Sequence, residues 1–248
     1  MHVPSLSSFN TAVDKWTFHI AAQACYANTP RTWLASPAHL PSDLTFPLLL
    51  KPRIGEGGVG ISLIHDAPQL NFILPSPNVE PALSIIQEFI PGQNVGCNVF
   101  CQYGQILAFT MQHPLDQSQS FAPASSIQFT FHEGALAQAA KLCRHLHWTG
   151  VANFDLRLHA TNGQAFLLEM NPRFWATIHG SVLAGTNFVR LNCSLPHTAP
   201  AKTNAIAYHR GSHSFSAWLR AAPSDFASRL RDPLPDLLFL LSKLKQLH

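Results

Sequence analysis

Between Gly150 and Gly185 the sequence reads GVANFDLRLHATNGQAFLLEMNPRFWATIHGSVLAG. Two apolar runs, VANFDLRL and AFLLEM, flank ATNGQ, and an Asn-Gly pair between such runs is the turn chemistry of an antiparallel hairpin. This stretch predicts a two-stranded antiparallel ribbon. Polar groups interrupt the apolar pattern at four places: Asp155 in the first strand, Glu169 and Asn171 at the end of the second, and Arg173 just beyond. Glu169 and Asn171 are two apart, so an extended backbone projects both from one face, and Asp155 reaches that face from the opposite strand. Two carboxylates and an amide oxygen make a hard, all-oxygen set suited to Mg²⁺, which keeps few protein ligands and completes its shell with phosphate oxygens and water. An arginine beside them is placed to clamp a phosphate or a carboxylate. The competing reading of these residues is a structural ion pair at the edge of a hairpin.

Composition narrows the function classes. At 248 residues the chain has room for a sizeable core and for one or two domains. Sixteen Lys+Arg against 13 Asp+Glu give a formal charge of +3, too small a bias to expect nucleic acid as a partner, and no basic run is interleaved with aromatics. Charged residues are only 12% of the chain, which makes carboxylates inside apolar strands conspicuous. The cysteines, Cys25, Cys97, Cys101, Cys143 and Cys193, are odd in number and lack metal-type doublets, so they read as small buried hydrophobes rather than a disulfide framework. The start, MHVPSLSS, has no apolar core of a signal peptide, and the longest apolar run, LLFLL, falls short of a membrane span. A protein of the cytoplasm with no membrane partner is the expectation.

Further along the chain, two lysines stand out. Residues 11–27 carry apolar side chains at Val13, Trp16, Ile20, Ala24 and Ala27, one face of a helix, with Thr11 and Asp14 as its capping box. Lys15 then falls in the first turn, where the helix dipole repels a cation, so it is either solvated or reaches toward an anion. Next, LLLKP reads as a strand and ISLI as its partner, joined by GEGGVG. Glycines let backbone N–H groups approach an anion closely, and Lys51 at the end of the preceding strand adds a point charge for phosphate. The segment is neither a P-loop nor a dinucleotide fingerprint.

SIIQEFI is an apolar strand stopped by Pro-Gly, and NVGCNVFCQ with ILAFTMQ makes a hairpin through Tyr103-Gly104. Glu88 and the backbone of Phe89 and Ile90 lie where a strand edge can offer hydrogen bonds to an adenine. HPLDQSQSFAPASSIQ reads as a long surface loop, and the residues from Glu133 to Trp148 as a helix laid on the sheet. IHGSVLAG predicts a short helix stopped at Gly185. RLNCSLPHTAPAKT reads as a connection, NAIAYHRG as a short strand, and Asp232-Pro233 opens an amphipathic helix through Leu244.

Taken in order, DKW before a helix, LLLKP followed by GEGGVG, IIQEFIPG, and NFD followed by LLEMNPR resemble the motifs of the ATP-grasp superfamily over about residues 10–190. The resemblance implies an α+β fold of two subdomains with mainly antiparallel sheets that grip ATP between them, as in biotin carboxylase and the carbamoyl phosphate synthetase large chain. It divides the chain into an N-terminal subdomain at 1–110, a second at 111–195 and an extension at 196–248. It implies that Lys15 and Lys51 bind phosphates and that Gly55, Glu56, Gly57, Gly58 and Gly60 belong to a mobile loop closing over them. Glu88, Phe89 and Ile90 form the adenine hinge, and Gln93 stands where many members carry an acid for the ribose hydroxyls. Asp155, Glu169 and Asn171 hold Mg²⁺, with Mn²⁺ as a substitute. Arg173 and Lys51 serve as the catalytic cations.

The activity implied is ligation: ATP converts a small carboxylate to an acyl-phosphate, and an amine or other nucleophile attacks it. Gln112-His113 stands where related ligases often carry basic residues for the second substrate, so specificity does not transfer. Most members also begin with a further α/β domain that helps bind the substrate, and the expectation is that this chain carries none. A partner domain, a homo-oligomer, or a binding module without turnover of its own are the arrangements that this suggests.

Overall fold

The computed structural model describes residues 1–76, 79–115 and 126–193, together with the backbone strand at 207–209. The chain opens with α1 (Leu6–Val13) and α2 (Lys15–Ala24) rather than one helix over 11–27. The break is at Asp14, whose backbone is extended and whose carboxylate caps α2 by accepting from the Trp16 N–H at 2.8 Å. Thr11 is not the cap; it lies inside α1, and its hydroxyl donates to the Ser7 carbonyl. Arg53 also grips the Asp14 carboxylate, and the Lys15 N–H donates to the Arg53 carbonyl, so the start of α2 is pinned to a distant part of the chain.

The first sheet is built from β1 (Thr32–Leu34), β2 (Leu48–Pro52), β3 (Ser62–Ile64) and, after α3 (Ala67–Ile73), β4 (Ser84–Glu88), in the order β1-β4-β2-β3. Alternation sorts its side chains onto two faces. Leu48, Leu50, Ile64 and Ile86 pack with Leu70 and Leu74 of the α3 region, while Lys51, Gln87 and Thr32 lie on the other face. α3 starts at Asp66, which accepts from the Gln69 N–H, and carries proline in its first turn.

The second sheet takes β5 (Gly92–Gln102), β6 (Gln105–Pro114) and β7 (Ser126–Thr130), then, after α4 (Glu133–His145), β8 (Gly150–His159) and β9 (Ala165–Asn171). After α5 (Ile178–Leu183) and α6 (Phe188–Cys193), β10 (Ala207–His209) completes the order β10-β7-β6-β5-β8-β9. All its pairings are antiparallel, and the fold is α+β. The chain changes sheets between Glu88 and Gly92, well before residue 110, because β5 pairs along its whole length with β8. Gly92 is the residue that allows this tight crossing: its φ is +145°, and a Cβ there would lie 1.8 Å from the Leu158 carbonyl oxygen.

One face of this sheet, with Val95, Cys97, Met111, Phe154, Leu156 and Met170, is covered by α1, α2 and α4 through residues such as Ala12, Phe18, Ala22 and Leu142. The N-terminal helices thus pack on the second sheet's core. On the opposite face Trp175 and Phe188 pack on Phe100 and Val151, and Ala184 with Leu183 packs on Ile127 and Phe129; neither cluster includes Asp155 or Glu169, and the part of the sheet that carries these two carboxylates is the open face. β7, expected to begin only after a loop through Gln128, starts at Ser126; residues 116–125 of that loop lie outside the described residues. α6 replaces the start of the expected connection. Cys97, Cys101 and Cys143 are buried, but Cys193 is exposed and Cys25 half-buried, so the cysteines are not uniformly core residues. The helix expected from Asp232 lies outside the described residues.

Candidate functional site

The open face of the second sheet is a grid fixed by strand register. One row runs Gln112, Gly96, Asp155, Glu169 across β6, β5, β8 and β9; the next runs Thr110, Asn98, Asn153, Asn171. Strict alternation along β9 would turn Glu169 to the same side as Ala165 and Leu167, both buried in the helix-covered core. A register shift opposite Asp155/Leu156 makes Leu168 an extra residue, and Glu169 and Asn171 come out on the open face while Met170 stays in the core.

Within the grid the polar groups satisfy one another. The Asn171 Nδ2 donates to Asp155 Oδ2 at 3.2 Å, to Glu169 Oε1 at 3.3 Å and to Asn153 Oδ1 at 3.2 Å. Asn153 donates to Asn98 at 3.0 Å and Asn98 to Thr110 at 3.2 Å, and the Thr110 hydroxyl meets that of Ser181 at 3.1 Å. Asn98, Thr110 and Ser181 are fully buried, so this chain of amides and hydroxyls is a rigid floor rather than a solvated surface. Gln112 is held by the Thr177 hydroxyl at 2.9 Å.

The cations arrive from elsewhere. Lys15, at the first position of α2, is buried: its Nζ lies 3.1 Å from Glu169 Oε2 and donates to the Gly55 carbonyl at 2.9 Å. Its charge beside the helix N-terminus is therefore met by a carboxylate and not by water. Lys51, on the inward face of the first sheet, is buried and donates to Gln87 Oε1 at 2.7 Å, and the Gln87 Nε2 in turn donates to the Thr32 hydroxyl. Burial brings the Lys51 pKa down to about 8, against the opposing pull of Glu169. Burial pushes the Asp155 carboxyl well above the usual carboxylate range, and the neighbouring Glu169 charge adds to this. Glu169 feels the same burial, but Lys15, the Asp155 hydrogen bond and Lys51 hold its pKa below the ordinary value.

The glycine-rich loop lies over this group. Gly57, Gly58 and Gly60 all have φ between +67° and +77°, a conformation that side chains disfavour. Arg173 donates to Glu56 in that loop at 2.7 Å. Arg173, Glu56 and Gly55 are thereby brought to the same side as Lys15 and Glu169.

The residues at 88–93 behave differently. Glu88 alternates away from Gln87, and its carboxylate lies 3.7 Å from Arg31, on the far face of the first sheet from Lys51. The backbone at Phe89 and Ile90 is what the crossing leaves beside the site; the Phe89 N–H donates weakly to the Pro47 carbonyl at 3.4 Å. Gln93 pairs with Leu158 and shares its face with Val95, so Asn94, paired with Arg157, is the β5 residue that looks onto the open face. Sequence reasoning also missed Gln87, Asn98 and Asn153. Alternation in VANFDL carried the signal for Asn153, at the parity of Asp155; Asn98 has the opposite parity to Gln93, and only the pairing of β5 with β8 puts it in the site. Among the described residues there is no cluster of three or more His, Cys, Asp or Glu side chains able to hold a metal, so any cation site here depends on Asn171. The donor set fits a hard cation: both carboxylates face one amide, whose oxygen would have to turn inward to join them.

A family model described as "ATP-grasp in the biosynthetic pathway with Ter operon" matches residues 80–213. The chain is 25% identical over 226 residues to the D-alanine--D-alanine ligase of Sulfurimonas denitrificans, covering 83% of this chain and 62% of that protein. It is also 25% identical over 144 residues to the arginine-specific carbamoyl phosphate synthase large chain of Bacillus subtilis, covering 55% of this chain and 14% of that one. Among solved structures, an Aspergillus clavatus carboxyaminoimidazole ribonucleotide synthase complexed with ATP superposes with a TM-score of 0.66 at 16% identity, over 81% of this chain and 57% of the other. The chain spans less than two thirds of the length of each of these proteins.

Proposed function

From the premise that the chain belongs to the ATP-grasp family, whose model spans residues 80–213, we propose that it is the ATP-binding and phosphoryl-transfer part of a carboxylate–amine ligase. One observation carries the reading: two lysines from α2 and β2 and two carboxylates with an asparagine from β8 and β9 face one another between the sheets. The named relatives include a ligase that joins D-alanine to D-alanine, which supports amino-acid-sized carboxylate and amine substrates.

In this reading Lys15 and Lys51 hold the ATP phosphates, and the loop from Gly55 to Gly60 with Glu56 closes over them. The Phe89–Ile90 backbone offers the adenine edge, with Glu88 and Gln93 flanking it. Asp155, Glu169 and Asn171 hold Mg²⁺ or Mn²⁺, which supplies charge neutralisation for the transferring phosphoryl group. The substrate carboxylate oxygen attacks the γ-phosphorus, the bond to the β-phosphate oxygen breaks, and ADP leaves. Arg173 holds the resulting acyl-phosphate; the amine nitrogen then attacks its carbonyl carbon, loses a proton, and phosphate departs. The side chains position and stabilise charge, and none acts as a nucleophile.

The test is ADP release with carboxylate and amine panels, alongside calorimetric titration of ATP·Mg²⁺. Wild type is expected to bind ATP·Mg²⁺ and yield ADP, not AMP, and Glu169→Gln to lose turnover and Mg²⁺-dependent binding together. Full turnover in Glu169→Gln overturns the assignment. A second reading is a nucleotide-binding module that turns over only with a separately encoded domain. It predicts that ATP·Mg²⁺ raises the melting temperature while no ADP appears until such a domain is added.

A further inference from the structure

Arg157 is the cation of the open face that the assignments above leave without a role. It stands on β8 two residues past Asp155 and on the same face, with Asn94 of β5 opposite, and it therefore lies between the carboxylate row and the crossing at Phe89. Two contacts hold it: an NH1 hydrogen bond to Asn94 Oδ1 at 2.9 Å, and the Phe89 ring, whose centroid is 4.9 Å from the guanidinium carbon. Its Nε is buried without a hydrogen-bond partner among the described residues. Arg31, Arg53 and Arg173 each meet a carboxylate, but Arg157 meets none among the described residues. The side chain is half-buried, so part of the guanidinium is out of water with no carboxylate beside it to offset the cost.

We propose that Arg157 is a nucleotide-binding residue whose planar guanidinium, backed by the Phe89 ring and steered by Asn94, forms the platform on which the purine of ATP stacks. The inference rests on the ATP-binding reading above. A guanidinium suits this place because it is flat and weakly hydrated, and so combines stacking with attraction to a π-face. A lysine would offer a point charge without a plane. Phosphates are served by Lys15 and Lys51, nearer the carboxylates.

The experiment titrates ATP·Mg²⁺, ADP·Mg²⁺ and tripolyphosphate·Mg²⁺ into the 248-residue chain and its Arg157→Leu, Arg157→Lys and Lys51→Met variants. Arg157→Leu is expected to weaken ATP and ADP by the same factor, about tenfold, with tripolyphosphate unchanged and no rescue by Arg157→Lys. Lys51→Met is expected to weaken ATP and tripolyphosphate together. Circular dichroism and melting checks establish that each variant is folded, and Arg157→Gln, which can still reach Asn94, takes the place of Arg157→Leu should that variant not fold. ATP affinity within about twofold of wild type, an equal loss for tripolyphosphate, or full rescue by lysine overturns the proposal. Wild type that binds no ATP overturns instead the reading it rests on.

Discussion

The Lys15 ammonium sits 3.1 Å from Glu169, joining the first turn of α2 to the bulged end of β9 across the protein's interior. The side chains are 8% and 24% exposed, so each shields the other from an expensive unpaired burial. Lys15→Ala should therefore cost both ATP affinity and stability, the latter by about 1–3 kcal/mol, whereas a solvated lysine would cost under about 0.5 kcal/mol. In a double-mutant cycle by urea unfolding, Lys15→Ala combined with Glu169→Gln should lose less than the sum of the single variants, with a coupling of roughly 1 kcal/mol or more. Additive losses would mean that the pair is not formed in solution.

Lys51 makes the opposite prediction for stability. Its pKa falls from 10.5 to about 8 because the ammonium is buried, so folding disfavours its charged form. The penalty is complete below pH 8 and fades as pH rises toward 10.5, since only then is the unfolded chain's lysine neutral as well. Lys51→Met should stabilise the nucleotide-free protein at pH 7 by about 1–3 kcal/mol, after allowance for the lost Gln87 bond, and this gain should shrink between pH 8 and 10. The same variant should lose ATP. A melting temperature below wild type at pH 7 would contradict it.

On the acid side His19 is the group to follow. It is buried, its ring is 5.9 Å from Trp16, and its Nδ1 is 3.3 Å from the Thr29 hydroxyl. Burial takes its pKa from 6.5 to about 4, so as pH falls through 6.5 the unfolded state gains a proton that the folded state refuses. Stability should drop by up to roughly 3 kcal/mol between pH 6.5 and 4 and then level off in this contribution. His19→Phe should flatten that limb of the pH–stability curve measured by urea unfolding, and an unchanged slope would count against it.

The Asn-Gly hairpin, the strands at LLLKP and SIIQE, and the helix from Glu133 were legible because each is written in local turn chemistry or periodicity. The joining of Asp155 with Glu169 was legible for a reason that was incomplete. Spacing by two correctly pairs Glu169 with Asn171, but alternation from Ala165 would have buried both, and the one-residue bulge at Leu168 that re-aims them has no local signature. The Lys15 pairing and the Asp14–Arg53 contact connect residues far apart in sequence, so no window of sequence contains them. SIQFT, by contrast, alternates plainly as β7 and was hidden only by the Gln- and Ser-rich segment before it. Gln93 and Glu88 show the reverse case: they match a family position by order, yet register turns Gln93 from the open face of the second sheet and Glu88 from the Lys51 face of the first.

Arg173 reaches the glycine-rich loop through Glu56 at 2.7 Å, and this contact predicts how the loop responds to nucleotide. The side chains are 49% and 71% exposed, so the pair is worth less than about 1 kcal/mol and is screened by salt. The loop's other anchor is the Gly55 carbonyl on Lys15, and its remaining residues, with Val59 78% exposed, have little to pack against. Such a segment opens at low cost, so amide hydrogen exchange at Gly55–Gly60 should be fast in nucleotide-free protein and slow markedly once ATP·Mg²⁺ supplies phosphate oxygens to its N–H groups. Glu56→Gln should leave global stability within about 0.5 kcal/mol and speed exchange in the nucleotide-free loop. It should not reduce ATP affinity, since it also frees the Arg173 guanidinium and removes a negative charge from beside the phosphates. Exchange at Gly55–Gly60 that is the same with and without ATP would make GEGGVG a plain hairpin connection, and a tenfold loss of ATP affinity in Glu56→Gln, about 1.4 kcal/mol, would mean that the carboxylate itself takes part in binding.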